Sequence, residues 1–148
     1  MLKLVDDGSP PGPVLFEAVL PVRWGDLDAD GHVNNTVMLR YAEEARMQWA
    51  AALKLQAEAP DRMPVVAAIA CSFHAPVHHP ATLRIRVSCS RVGRSSLDLT
   101  FAIDALEANA ARSCATAYAV WVWVDQATRK SVPIPAPLRA LCETPLPA

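Results

Sequence analysis

This 148-residue chain has no excess of charge of either sign: 14 Lys and Arg stand against 15 Asp and Glu, a formal net charge of −1. A nucleic-acid binder shows a dominant basic surface, so no nucleic-acid partner is expected. Long hydrophobic runs are also missing. The longest, Ala115–Val124, falls short of the roughly 20 residues that span a bilayer, and no membrane contact is expected. The opening MLKLVDDGSPPGP contains no apolar core of signal-peptide length, which leads to the expectation of a cytoplasmic protein. Cys71, Cys89, Cys114 and Cys142 form no C-x-x-C pair, so they are expected to be reduced and mostly buried. There is no G-x-S-x-G elbow, P-loop or G-x-G-x-x-G, which removes support for a Ser-based hydrolase, nucleotide hydrolysis and dinucleotide redox chemistry. His74, His78 and His79 are interrupted by Pro76 and Pro80 and have no acid or Cys at ligand spacing, so no metal is expected.

What is present is a globular composition, 52% hydrophobic, of a length that fits one domain. Residues 1–13 are polar and rich in Pro and Gly, as in a loose tail; the domain is placed at 14–140, with a second tail at 141–148. The period-two pattern of Val14, Phe16, Ala18, Leu20 and Val22 predicts a strand, and Pro21 marks it as an edge or an end. Met38, Tyr41, Ala42, Ala45, Trp49, Ala52 and Leu53 then fall on one helical stripe, with Arg40, Glu43, Glu44 and Arg46 off it. The helix is expected to start at an Asn34 or Asn35 cap and to end near Leu55. Four strand-like segments follow. Residues 63–73 are so apolar that a strand covered on both faces is expected. Residues 83–90 and 97–104 alternate and are joined by a hairpin turn at 91–95, where Gly93 would supply an unusual backbone angle. Residues 113–125 carry Trp121 and Trp123 on one side. The connection 105–111 is read as a turn, and the Pro-rich C-terminus as largely irregular. One helix and five mostly antiparallel strands form an α+β domain in which a curved sheet wraps the helix stripe. Arg84/Arg86 and Asp98/Asp104 must then meet solvent or a partner.

The chemistry concentrates in 22–46, VRWGDLDADGHVNNTVMLRYAEEAR. Asp26, Asp28, Asp30, His32, Asn34 and Asn35 crowd into one short loop, where neighbouring carboxylates repel and gain no stability. The following helix opens with unpaired N–H groups. A carboxylate there can attack a carbonyl or activate water, and the helix end can receive the oxyanion.

The run R-W-G-D-L-D-x-D-G-H-V-N-N followed by R-Y-x-E-E-A-R resembles the hotdog-fold acyl-CoA thioesterases of the 4-hydroxybenzoyl-CoA thioesterase type. R-V-G-R-S-S-L at 91–97 and V-W-V-W-V-D-Q-A-T-R-K-S-V-P-I-P at 120–135 extend the similarity. The resemblance implies a hotdog fold and hydrolysis of an acyl-CoA, with coenzyme A part of the substrate and no separate cofactor. It picks Asp28 as base or nucleophile, the Asn35 amide as carbonyl donor and His32 as a neighbouring catalytic or bracing group; Asp26 would be structural, capping the loop or pairing with Arg23. It further implies substrate contacts from Gly31, Asn34 and Glu43, coenzyme A contacts from Arg91, Gly93, Arg94 and Ser95, and a homodimer or homotetramer joined at sheet edges. Two other readings share the fold: a hydratase or dehydratase, for which Asp26 and His32 have the spacing but lack the intervening Asn-Pro, and a non-catalytic acyl-thioester binder.

Overall fold

Alternating side chains build five strands into one antiparallel sheet in a computed structural model that describes residues 12–143. The expected tail segments 1–11 and 144–148 lie outside the described residues. The strands are β1 (Val14–Pro21), β2 (Arg62–Phe73), β3 (Thr82–Val92), β4 (Ser96–Glu107) and β5 (Ala110–Asp125). Their order across the sheet is β1-β3-β4-β5-β2, so β1 and β2 form the two edges. The long helix α1 (Asn35–Ala52) lies over the sheet, in the sausage-and-bun arrangement that the resemblance implies.

The inner faces of β3, β4 and β5 supply Leu83, Ile85, Leu97, Phe101, Ile103 and Trp121, all essentially inaccessible. Against them α1 buries Met38, Tyr41, Ala42, Ala45 and Trp49, five of the seven stripe residues; Ala52 is exposed and Leu53 half-buried. The Trp49 and Trp121 ring centroids are 6.2 Å apart, and those of Trp121 and Trp123 are 5.5 Å apart. Arg46, off the stripe by its polarity, is nonetheless buried. Its guanidinium carbon sits 5.5 Å from the Trp121 ring centroid, where the aromatic face attracts the cation.

Several expectations are corrected. The helix stops at Ala52, before Leu55, because Lys54 takes a left-handed conformation (φ 53°); a single turn, α2 (Leu55–Glu58), follows. β2 is not covered on both faces. It is an edge strand with Val66, Ile69 and Phe73 exposed at 39%, 44% and 48%. The C-terminal segment is not irregular throughout: α3 (Ala136–Glu143) buries Leu138 against the sheet. Gly93 does not have a positive φ, unlike Gly31. The space around it is tight: a Cβ there would lie 2.9 Å from the Ser96 Oγ, which would have to turn away. The charged outer faces meet each other. Arg84 and Arg86 both donate to the buried Asp104, at 3.0 and 2.8 Å, and Arg91 grips Asp98 with two bonds. These are cross-strand neighbours in the β3–β4 register. The 105–111 connection is the expected turn, tightened to Ala108 and Asn109 because β4 and β5 run further than the alternation suggested.

Candidate active site

The loop between β1 and α1 first makes a 3-10 turn, Trp24–Asp26, and then folds back on itself. Leu27 and Val33 pair as an isolated bridge. Between them the Asp28 N–H donates to the His32 carbonyl at 2.8 Å, and the Gly31 N–H donates to the Asp28 carbonyl at 3.1 Å. Gly31 closes this turn at φ 78°, a conformation that strains any side chain. The Asp28 carboxylate takes part: its Oδ1 accepts the Asp30 N–H at 2.9 Å. Among the described residues, its Oδ2 accepts nothing.

Asn34 caps α1, its Oδ1 accepting from the Thr36 N–H at 2.9 Å and the Thr36 hydroxyl at 2.7 Å. The next amide, that of Asn35, donates to no acceptor among the described residues, as the geometry of a first helical turn predicts. Asp28, Asp30, His32 and Asn35 border one cavity of about 360 Å³. Met38, Val33, Val77 and Phe73 give it apolar walls. His32 meets His78 edge to face, with centroids 4.8 Å apart.

Asp26 points elsewhere. One of its oxygens, Oδ2, accepts both the Tyr41 hydroxyl and the Arg23 N–H, the latter at 3.1 Å, while its carbonyl accepts the Asn34 N–H at 2.9 Å. Arg23 therefore meets Asp26 through its backbone, and no Arg23–Asp26 ion pair forms among the described residues. Burial and the Asp26 contact raise the Tyr41 pKa well above the ordinary phenol value, so the hydroxyl stays a donor.

The structure thus brings Asp28, His32 and Asn35 together and leaves other expected residues outside. Gly31 shapes the turn, Asn34 is occupied as the cap, and Glu43 is exposed, 3.6 Å from Arg46; none of the three lines the cavity. Arg91 stands next to last in β3, and Gly93, Arg94 and Ser95 form the turn after it, at the end of that strand opposite Thr82 and Pro21. At roughly 3.3 Å per residue this is about 30 Å from the acidic loop of the same chain. Arg91 is committed to Asp98, and Arg139 of α3 donates to the Gly93 and Arg94 carbonyls. Sequence reasoning missed the opposite wall, Phe73–Val77. It includes His74, whose Nε2 lies 2.9 Å from the Thr116 hydroxyl. Only tertiary contacts bring that wall in, above all the Val33 N–H bond to the Val77 carbonyl at 2.8 Å.

Comparison with known proteins agrees with this architecture. A model described as the thioesterase-like superfamily matches residues 22–141. The Bacillus subtilis (strain 168) protein YsmA is 35% identical over 111 residues, 75% of this chain and 74% of its own. The PA2801 protein of Pseudomonas aeruginosa is 37% identical, covers 86% of this chain and 98% of its own, and superposes with a TM-score of 0.79. A thioesterase from Thermus thermophilus, solved with coenzyme A and Zn, is 29% identical with a TM-score of 0.73; the match covers 89% of this chain and 98% of that one.

Proposed function

The chain belongs to the thioesterase-like superfamily and is a thioester hydrolase, and we propose that it cleaves an acyl-CoA to a free acid and coenzyme A in the cavity between Asp28 and the mouth of α1. One observation carries this reading: Asp28, whose Oδ2 has no donor among the described residues, and Asn35, whose amide has no acceptor among them, line the same cavity. The thioester carbonyl points its oxygen at the Asn35 N–H and the positive end of the helix. Water, deprotonated by Asp28, adds to the carbonyl carbon. The oxyanion collapses, the C–S bond breaks, and the proton held by Asp28 passes to the departing thiolate. Direct attack by Asp28 would give an anhydride that water then opens. Donation from one such amide is worth about 3–4 kcal/mol in the transition state. His32, held against His78, braces the turn that presents Asp28.

The finer assignments follow from this reading. The hairpin at 93–95 lies too far from its own loop to serve it, so we assign its contact with the coenzyme A phosphates to the cavity of a second copy. Arg94 is the better ligand, because its guanidinium has no acidic partner among the described residues, whereas that of Arg91 does. The second copy is expected to join at β2, whose free backbone edge carries exposed apolar side chains. A cytoplasmic location remains part of the proposal; among the described residues no helix is long and apolar enough to cross a membrane.

The test is thiol release from a panel of acyl-CoAs. Asp28→Asn is expected to lower turnover at least about 100-fold while the fold survives. Full activity in that variant removes Asp28 from the mechanism. In a single turnover in ¹⁸O water, label entering the Asp28 side chain marks covalent attack, and label only in the product acid marks a general base.

A further inference from the structure

The bonds inside the acidic loop set its shape but do not fix where it sits. Asp28 N–H to His32 O, Gly31 N–H to Asp28 O and Asp30 N–H to Asp28 Oδ1 would all survive if the loop swung as a unit. Its placement against α1 depends on bonds that leave the turn. Asp26 supplies two of them: Oδ2 accepts the Tyr41 hydroxyl and its carbonyl takes the N–H of the helix cap, while the Val33 N–H bond to the Val77 carbonyl holds the far side of the loop. Tyr41 is itself buried, two turns into α1, and cannot move without the helix.

We propose that Tyr41 is a positioning residue for the hydrolysis: its bond to Asp26 ties the loop to the body of α1 and so holds Asp28 opposite the Asn35 amide. This rests on the role given to Asp28 above. The bond joins a rigid, packed side chain to the residue two before the base. A displacement of about 1 Å at a reacting group can cost on the order of 100-fold in rate.

Two variants of the full chain separate the tie from the charge. Tyr41→Phe keeps the ring and the Asp26 charge but removes the hydroxyl. Asp26→Asn removes the charge but keeps the tie, because a single amide oxygen can accept from both Tyr41 and Arg23. Two readouts are compared with wild type: kcat and KM for an acyl-CoA, and hydrogen exchange of the Asn34 amide, with core amides of β4 as the folding control.

Tyr41→Phe is expected to lower kcat at least about 10-fold with KM within about twofold, and to accelerate Asn34 exchange while β4 stays protected. Asp26→Asn is expected to keep kcat within about threefold and Asn34 protection unchanged. The proposal is overturned if Tyr41→Phe retains wild-type kcat and Asn34 protection, or if Asp26→Asn loses as much as Tyr41→Phe. Should Tyr41→Phe expose β4 as well, Asp26→Ala removes the same bond from the other side, and unchanged Asn34 exchange there overturns the tie. A wild type that releases no thiol from any acyl-CoA sinks the thioesterase reading alone, and the exchange comparison still decides the tie.

Discussion

Asp28 divides its two oxygens between architecture and chemistry. Oδ1 completes a turn through the Asp30 amide, and Oδ2, without a donor among the described residues, is left for chemistry at the cavity that Asp28 lines. Loop Asp residues are commonly turn formers, and here turn formation occupies only half of the carboxylate. Substitutions should therefore split. Asp28→Asn keeps an acceptor for Asp30, so its melting temperature should stay close to wild type although turnover falls. Asp28→Ala should lose turnover and also about 1 kcal/mol of stability, read by urea titration. Gly31→Ala has open space around it but a φ of 78°, and should cost about 1–2 kcal/mol from backbone strain alone. Half-burial pushes the Cys71 thiol up to about 11. Because an unfolded chain loses that proton nearer pH ~8.5, its contribution to stability is complete below that pH and disappears as pH rises towards 11. At pH 8, iodoacetamide should accordingly modify Cys71 far more slowly than a free thiol, as followed by mass spectrometry. At this scale the motif residues were legible from local chemistry. The Phe73–Val77 wall was not, because only contacts far apart in sequence bring it to the loop.

At the scale of elements, period and propensity locate the strands and the long helix well, and they fail where burial depends on neighbours. The apolar run 63–73 is the clearest case. A strand covered on both faces and an edge strand that waits for a partner look alike in sequence, since both need apolar side chains on each side. α3 is hidden behind Pro133, Pro135 and Pro137, yet Pro is tolerated at a helix start, where its missing N–H is no loss. Opposite charges at 84, 86 and 104 are visible in the sequence; that they face one another depends on register, which the 91–95 turn sets. Asp104 is buried and holds two cations, so Asp104→Ala should lower stability by about 2 kcal/mol, measured as a shift in urea midpoint without a change in slope. By contrast, removing the exposed Glu107–Arg112 pair should change it by under about 1 kcal/mol.

At the scale of the whole molecule, the two edges are unequal. β1 offers eight residues, with Val14 and Val19 exposed, Glu17 mid-strand and Pro21 at its end, whereas β2 offers twelve, with Pro64 near its start and Val66, Ile69 and Phe73 exposed. The homodimer we propose should therefore form through β2. Ile69→Lys is expected to shift the sedimenting species to the monomer mass, and a monomeric wild type would end that assignment. If the hairpin at 93–95 serves a second copy, Arg94→Ala should raise KM for acyl-CoA several-fold with kcat nearly unchanged.

The order β1-β3-β4-β5-β2 also constrains how the chain comes to be folded at all. The first two of these strands in chain order end up at opposite borders of the sheet. β1 must wait for β3, and β2 for β5, before either has anything to pair with. α1 and the reactive loop are therefore made before the central strands that they pack on, and assembly is governed by long-range closures that are intrinsically slow. A chaperone that shields apolar segments would meet this protein through β2, the same strip at which we propose that two copies associate.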